Sequence, residues 1–202
     1  MVPPDLEEVL AFWFTTPADA HAGDAPRVDA SVAERREWFH KDPGFDTLIR
    51  DRFGPVIARA VAGGLGEWCT VPRGSLARVI VLDQFTRNAF RGTADAFSGD
   101  ERARATAADA IARGFDRTLA PVERWFLYMP FQHSESMDDQ QRSLTLFRQL
   151  AAETGLSGPV EWAERHAEVI RLFGRFPHRN ALLGRESSPE ELEFLRSPGS
   201  RF

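Results

Sequence analysis

The sequence is poor in cysteine and lysine: it contains one residue of each, Cys69 and Lys41. A single cysteine excludes an intramolecular disulfide and a cysteine-based zinc site. Cys69 has no histidine beside it in the sequence that could activate its thiol, so no catalytic cysteine is predicted. Arginine supplies the remaining basic residues, and its planar guanidinium binds carboxylates or phosphates through paired hydrogen bonds.

Long apolar runs and a basic N-terminal segment are also missing. The apolar runs are far shorter than the roughly 18 residues that a membrane-spanning helix needs. The first residues, M-V-P-P-D-L-E-E, are acidic, unlike the start of a signal peptide. The formal net charge is −5, whereas general binders of nucleic acids or anionic membranes carry a basic face. We therefore expect a cytoplasmic protein with no nucleic-acid partner and no membrane partner.

Hydrophobic spacing predicts a single all-helical domain over residues 1–202. Hydrophobic residues make up 43% of the chain and charged residues 27%, which is typical of a globular protein. Apolar residues recur at helical spacing in several segments, and the alternating runs that indicate strands are missing. Because the connections are short and rich in glycine and proline, the predicted fold is an all-α array of antiparallel helix pairs.

Capping residues and breakers set the predicted helix boundaries. Asp5 and Ser98 are predicted N-caps, and Pro130 is predicted to stop a helix. Gly54-Pro55 interrupts another apolar stripe, so we expect a kink or two short helices there. The predicted helices cover residues 6–14, about 29–39, 45–61, 72 to about 90, 98–114, 121–129, 137–152, 160–173 and 190–195.

Asp83 and Arg87 place opposite charges on the predicted core face of the helix over residues 72–90. Leu76, Val79 and Ile80 define that face, and one helical turn separates the two charged residues. One interpretation is a buried ion pair that fixes the helix register, because buried charges persist only when they are paired. The other interpretation is that Asp83 or Arg87 lines a cavity.

The stretch 166–186 combines His, Arg, Asn and Phe around Gly174 and Pro177. An ordinary helix end needs only a glycine and a basic residue, so the extra polar side chains call for another role. His166 lies at the centre of a predicted apolar helix face. A histidine in that position is more often a hydrogen-bonded core residue than a ligand.

Three motifs make the chain similar to a known family. They are L-D-Q-F-T-R-N-A-F-R-G (82–92), Y-M-P-F-Q-H-S-E (128–135) and R-L-F-G-R-F-P-H-R-N-A-L-L-G-R-E-S (171–187). With F-W-F (12–14) and W-F (38–39), the chain resembles the bacterial and plant family of unknown function numbered 924 over nearly its whole length. The resemblance implies an all-helical, tetratricopeptide-like right-handed superhelix, and it implies no activity. Thr86 replaces a common proline, and Phe131-Gln132 replaces a more usual Leu-Glu.

Helix ends and junctions in these motifs supply ten candidate ligand-binding residues. Side chains from different helices can converge on one groove at such positions. The candidates are Asp83, Arg87, Asn88, His133, Glu135, His166, Arg175, His178, Arg179 and Asn180.

These residues fit three functions. We expect a binding module whose groove of Arg, His and Asn side chains takes a protein, a peptide carboxylate or a small anion. The alternative is a small hydrolytic enzyme in which His133 carries protons, Glu135 orients it and Arg179 stabilises negative charge. A third interpretation is a structural network in which arginines bond helix-end carbonyls.

Other site chemistry has little sequence support. The H-S-E spacing at 133–135 is weak for a metal site, and no H-E-x-x-H pattern accompanies it. Nucleophilic-serine motifs, phosphate-binding glycine loops and dinucleotide fingerprints are missing from the sequence. We therefore predict no metal and no cofactor, and whether the protein is an enzyme stays open.

Overall fold

The computed structural model describes residues 5–14 and 36–200. Within these ranges the regular structure is helical and contains no strand, which confirms the all-α prediction. The chain divides into two compact units, which we call unit 1 (Met1–Arg91 and Asp95–Pro130) and unit 2 (Gly92–Ala94 and Phe131–Phe202). The single domain over residues 1–202 and the tetratricopeptide-like superhelix stay predictions.

Ten α-helices and one π-helical segment make up most of the described chain. None of the helices in these ranges is both long and apolar enough to span a membrane. The elements are α1 (Leu6–Phe14), α2 (Arg36–Phe39), α3 (Pro43–Val61), α4 (Pro72–Val79), the π segment (Ile80–Phe85), α5 (Thr86–Ala89), α6 (Asp100–Ala112), α7 (Pro121–Gln132), α8 (Met137–Thr154), α9 (Gly158–Phe173) and α10 (Pro189–Phe194). Short 3-10 turns lie at Gly66–Thr70, Ala94–Phe97, Phe115–Thr118 and Pro177–Arg179.

Aromatic rings form the centre of unit 1. The ring of Trp13 packs 5.7 Å from that of Phe85 and 5.6 Å from that of Phe126, and Phe53 lies 4.7 Å from Phe85. Trp38 donates its indole N–H to the carbonyl oxygen of Trp13 at 3.0 Å. Trp13, Phe14 and Trp38 of the early F-W-F and W-F motifs are therefore part of the core, whereas Phe39 is 44% exposed.

The predicted starts of α1 and α2 have different outcomes. Asp5 accepts a hydrogen bond from the backbone N–H of Glu8 at 2.9 Å, so the predicted cap on α1 is confirmed. The second helix was expected from about Asp29. Residues 29–35 lie outside the described ranges, and the described part of that helix begins at Arg36.

Helix α3 runs unbroken from Pro43 to Val61 with Pro55 inside it. Of the two alternatives expected at Gly54-Pro55, a kink or two short helices, the second is therefore wrong. Proline removes one helical hydrogen bond, but Phe53, Val56 and Ile57 bury the same helix face on both sides of Pro55. Tertiary packing thus outweighs the local break.

Two predicted boundaries around α6 and α7 are wrong. Helix α6 begins at Asp100 with Gly99 as its N-cap residue, while the Ser98 hydroxyl donates to the Asp95 carbonyl instead of capping the helix. Helix α7 continues through Pro130 to Gln132. Like Pro55, Pro130 is tolerated because a proline in a buried helix loses one backbone bond and keeps its packing.

Unit 2 is built on the helix pair α8 and α9, which are joined by a turn at residues 155–157. Phe147 and Leu150 of α8 and Ala163 and Ile170 of α9 are buried. Two packed helices with so short a connection run antiparallel. This pair agrees with the predicted antiparallel arrangement.

The last helix, α10, buries a charged residue and exposes a leucine. Ser188 and Glu191 form a capping box at its start, which agrees with the helix predicted over residues 190–195. Leu192 is 49% exposed, whereas Glu191 is buried. The buried carboxylate is held by charged and polar partners from the motif at residues 171–187.

Candidate functional site

Asp83 lies in the π segment and is fully buried, with 0% of its surface exposed. The guanidinium of Arg87 lies 3.1 Å from one Asp83 carboxylate oxygen, and the Gln84 amide donates to the other at 2.6 Å. Arg87 also donates to both carboxylate oxygens of Asp100, at 2.7 and 3.1 Å. The predicted buried ion pair therefore exists and has a third member.

Electrostatics and close packing hold this group together. Burial opposes the charge on Arg87, but Asp100 and Asp83 raise the pKa of its guanidinium above the ordinary value. Gly99 precedes Asp100, and a Cβ atom at Gly99 would overlap the carbonyl oxygen of Leu82. The glycine lets the start of α6 approach the π segment, so that Asp100 reaches Arg87.

The π segment was not predicted, and it interrupts the helix expected over residues 72–90. A π-helical turn inserts an extra residue into the hydrogen-bond ladder and is often found near functional positions. Its six residues, Ile80–Phe85, are all buried and include both Asp83 and Gln84. The helical spacing of the apolar residues in the sequence gave no indication of the change in helix type.

Asn88 belongs to a separate polar contact in unit 1. Its side-chain oxygen accepts a hydrogen bond from Arg91 at 2.6 Å, and Arg91 also donates to both carboxylate oxygens of Asp46, at 2.6 and 2.9 Å. Asn88 thus helps to orient an arginine that links α3 to the end of α5.

Glu135 in unit 2 is bound on both of its carboxylate oxygens. Arg185 donates to them at 2.6 and 2.9 Å, and the backbone N–H of Phe176 donates at 2.8 Å. Burial favours the neutral acid, but the hydrogen bonds from Arg185 and Phe176 lower the pKa of Glu135 below the ordinary value. Glu135 is therefore a poor proton acceptor.

Glu191 binds two other residues of the motif at residues 171–187, Arg175 and Asn180. Arg175 donates to its two carboxylate oxygens at 2.7 and 2.8 Å, the Asn180 amide donates at 3.1 Å, and the Ser188 backbone N–H donates at 2.8 Å. The hydrogen bonds from Arg175, followed by those from Ser188 and Asn180, lower the pKa of Glu191 to about 2 against the effect of burial. The side-chain oxygen of Asn180 accepts from Arg185 at 3.0 Å, which joins the Glu191 contacts to those of Glu135.

Arg179 and Gln140 bond the carbonyl groups at the end of α7. Gln140 donates its amide N–H groups to the carbonyls of Gln132 and Ser134 at 2.8 and 2.7 Å, and Arg179 donates to the intervening carbonyl of His133 at 2.9 Å. Helix-end carbonyls lack partners within their own helix, so these donors satisfy them. This arrangement matches the predicted interpretation of a structural network.

Three imidazoles and Arg179 gather around Phe176, and we call His133, His166, His178 and Arg179 the histidine cluster. The rings of His166 and His178 each lie 5.6 Å from the Phe176 ring, and Arg179 lies over that ring at 4.5 Å. The rings of His133 and His166 are 6.1 Å apart. The cluster brings several N–H-bearing groups into one part of unit 2.

His166 is buried and neutral. Burial lowers its pKa well below the ordinary value, and electrostatic interactions with His133, Arg179 and His178 lower it further. Its Nδ1 lies 2.7 Å from the Trp162 carbonyl oxygen. Since a carbonyl only accepts, Nδ1 carries the proton and Nε2 carries the lone pair.

The ten predicted residues fall into both units. Asp83, Arg87 and Asn88 belong to unit 1, and the other seven belong to unit 2. Within unit 2 they divide into the histidine cluster and the ion-pair network of Glu135, Arg175 and Asn180. The residues that sequence reasoning missed are Asp100, Gln140, Arg185 and Glu191.

A cavity of about 370 Å³ opens elsewhere in unit 1, and none of the ten predicted residues lines it. Arg73 lines this cavity and donates hydrogen bonds to the carboxylates of Glu7 and Glu123, each at 2.8 Å. The charged groups of this cavity are already paired with one another. The remaining lining residues are Leu6, Val71, Pro72, Thr118 and Leu119.

Comparisons with known proteins identify the family. The chain is similar to a solved structure from Agrobacterium tumefaciens, described as a protein of unknown function, with 36% sequence identity and a TM-score of 0.78. The match covers 94% of this chain and 96% of that one. A comparison with curated proteins gives no match. Residues 9–199 match the model of the family described as bacterial protein of unknown function (DUF924), and the chain belongs to that family.

Proposed function

We propose that the protein is a binding module and that the histidine cluster takes a small anion through its carboxylate or phosphate oxygens. The observation that carries the proposal is the convergence of His166, His178 and Arg179 on the single ring of Phe176, with His133 beside His166. Imidazole and guanidinium N–H groups are strong donors to anionic oxygens.

The electrostatics of the cluster support an anion rather than a cation. Electrostatic interactions with His133, Arg179 and His178 all lower the pKa of His166, so they disfavour a positive charge on its ring. Like charges in a buried region repel one another, and an anion placed among them would relieve that repulsion. The nearby carboxylate of Glu135 is held by Arg185 through both oxygens, so both of its oxygens already have a donor.

The hydrolytic alternative has less support from the geometry. It needs Glu135 to orient His133 or to exchange protons with it. The bonds from Arg185 and Phe176 occupy both oxygens of Glu135 and lower its pKa, which favours a fixed ion pair. A free carboxylate poised near neutral pH would suit that chemistry better.

The test is a thermal-shift screen of the purified protein with acetate, citrate and phosphate, and with a short peptide in its free-carboxylate and amidated forms. A ligand at 100 times its Kd stabilises a protein by about 2.7 kcal/mol, which raises Tm by several degrees at this size. The peptide pair distinguishes a free anion from the C-terminus of a protein partner. His133→Gln and His178→Gln should abolish the rise in Tm, and the exposed His40→Gln should keep it.

A second readout follows His166 directly. An anion in the cluster should raise the pKa of His166 toward the ordinary value, because negative charge favours the imidazolium. The titration of the His166 ring protons by NMR, with and without the best anion, measures this shift. If no anion moves either Tm or the His166 titration, the histidine cluster is part of the structural network alone.

A further inference from the structure

The cavity of about 370 Å³ in unit 1 is lined by both apolar and charged side chains. We call it the α1–α4 cavity, since α1 and the start of α4 both line it. Val71, which belongs to the lining, is 46% exposed although it is apolar. Binding sites for small molecules have volumes of about 300–1,000 Å³ and combine apolar walls with a few polar or charged groups. The α1–α4 cavity therefore has the size and composition of a site for a small, partly apolar molecule.

Carboxylates outnumber cations in the lining of this cavity. Among the described residues that line it, Glu7 and Glu123 are acidic and Arg73 alone is basic. One guanidinium paired with two carboxylates leaves one negative charge in excess. The hydrogen bond with Glu7, together with the charges of Glu123 and Glu7, raises the pKa of Arg73 above its ordinary value although burial opposes this. The cavity thus favours positive charge.

Both carboxylates keep the capacity to accept further hydrogen bonds. Arg73 donates to the two oxygens of Glu7 at 3.2 and 2.8 Å. The buried Glu123 accepts from Arg73 at 2.8 Å and from the backbone N–H of Ala120 at 3.0 Å. Because an ionised carboxylate can accept about four hydrogen bonds, each of the two retains free lone pairs. Arg73 also holds both carboxylates at one guanidinium, so a single ligand can reach the two of them.

We propose that the α1–α4 cavity binds a primary alkylammonium group, carried by a free amine or by a lysine side chain. The ammonium bonds the carboxylates of Glu7 and Glu123, and the alkyl chain packs against Val71 and Leu119. An ammonium has three N–H donors and no acceptor, which complements carboxylates with free lone pairs. An anion would be repelled by both carboxylates. The site lies in unit 1 and uses no residue of the histidine cluster, so it does not depend on anion binding there.

The test is an NMR titration of the ¹⁵N-labelled protein with pentylamine, pentanol and pentanoate, which share one chain and differ in charge. At pH 7 an alkylamine is protonated, as a lysine side chain is. Pentylammonium should shift the amide signals of Val71, Arg73 and Leu119, with a Kd about tenfold or more below that of pentanol, because hydrogen bonds to charged groups are the stronger ones. An absence of shifts with pentylammonium, or a Kd for pentanol or pentanoate as low as its own, would overturn the proposal.

A series from methylammonium to pentylammonium tests the apolar part of the site. Each methylene group that is buried should lower the Kd about fourfold. Val71→Ser should weaken the binding of pentylammonium and leave that of methylammonium unchanged. Serine suits the extended backbone of Val71, the N-cap residue of α4, so the fold should be kept. A Kd that does not depend on chain length would contradict the proposal.

A lysine derivative distinguishes the two sources of the ammonium group. Nα-acetyl-lysine methylamide carries the four-carbon ammonium chain on a peptide backbone, and butylammonium carries the same chain alone. A lower Kd for the lysine derivative assigns the cavity to a lysine of a protein partner. A lower Kd for butylammonium assigns it to a free amine.

Glu7→Gln and Glu8→Gln form a matched pair of variants. The two glutamates are adjacent on α1, and each pairs with an arginine, Glu7 with Arg73 at 2.8 Å and Glu8 with Arg52 at 2.6 Å. Glu8 does not line the cavity. Glu7→Gln should raise the Kd of pentylammonium about threefold to fivefold, the effect of a partly exposed charge pair. Glu8→Gln removes the same charge from the protein and should leave the Kd unchanged. Equal effects of the two variants would refute binding in the α1–α4 cavity.

Discussion

The tripeptide Arg-Asn-Ala occurs in both units, at residues 87–89 in unit 1 and at residues 179–181 in unit 2. The two arginines have different kinds of partner. Arg87 lies between the carboxylates of Asp83 and Asp100. Arg179 donates to the His133 carbonyl and lies over the Phe176 ring. The first arginine is neutralised by acids, whereas the second adds positive charge beside histidines.

The two asparagines differ in the same way. Asn88 accepts from Arg91, which is itself paired with Asp46. Asn180 is fully buried and links two ion pairs, because it donates to Glu191 and accepts from Arg185. The comparison shows that an identical short motif takes its role from the charges of the residues packed against it.

The largest expected effect tests the difference between the two arginines. Arg87→Met leaves the buried Asp83 carboxylate without its cation, and removal of one partner of a buried pair costs about 3–5 kcal/mol. Arg179→Met leaves a carbonyl without a charged donor, which costs about 1.5–3 kcal/mol. Urea denaturation of the two variants should give this order of stability loss.

A control and a rescue sharpen that test. Arg148 pairs with Glu164 at the surface, with 58% of its side chain exposed, so Arg148→Met should change stability by less than about 0.5 kcal/mol. Asp83→Asn added to Arg87→Met removes the unpaired charge and should recover part of the loss. Equal losses for Arg87→Met and Arg179→Met would refute the contrast between an arginine that pairs with a fully buried carboxylate and one that bonds a backbone carbonyl.

A smaller effect is expected at the ion-pair network of unit 2. Glu191→Ala removes the acceptor that Arg175, Asn180 and Ser188 share, so the free energy of unfolding should fall by about 2–3 kcal/mol. Glu193→Ala is the control, because Glu193 lies on the same helix, is exposed and pairs with Arg196 at the surface. Guanidinium denaturation of the pair should show a clear loss only for Glu191→Ala.

The last effect is a pH dependence that Glu191 imposes on unit 2. The pKa of Glu191 is about 2 in the folded protein, compared with about 4.3 for a free glutamate. Between these values the unfolded chain binds more protons than the folded one, so this contribution to stability is complete above about pH 5 and decreases as the pH falls toward 2. Glu191→Gln should therefore lose less stability than the wild type over this range. Parallel acid titrations of Tm would show identical slopes if Glu191 did not contribute.

Most helices could be predicted from the sequence because capping residues and apolar spacing, which are local signals, determine where they lie. Asp5, the Ser188–Glu191 capping box and the apolar spacing of α8 and α9 place helices where the structure has them. The errors arise where packing overrides local chemistry. Pro55 and Pro130 lie inside helices because buried neighbours compensate for one lost hydrogen bond.

The site was less predictable because partners distant in sequence determine the role of each polar residue. Glu135 was a candidate for acid–base chemistry, but Arg185, fifty positions later, holds it in an ion pair. Gln140 looked like an ordinary polar residue of α8, and its contacts with the end of α7 are visible only in the fold. The capping-box spacing of Ser188 and Glu191 could have pointed to a fixed carboxylate, although not to its partner Arg175.

The π segment makes the number of residues in this part of the chain as important as their identity. Each residue of a regular helix turns the next by about 100°. If the same six residues, Ile80–Phe85, were wound as an ordinary α-helix, Arg87 would be rotated by roughly that angle relative to α4. Arg87 would then point away from Asp100 although every side chain of the pair were retained. The π-helical winding is thus what directs Arg87 toward Asp83 and Asp100.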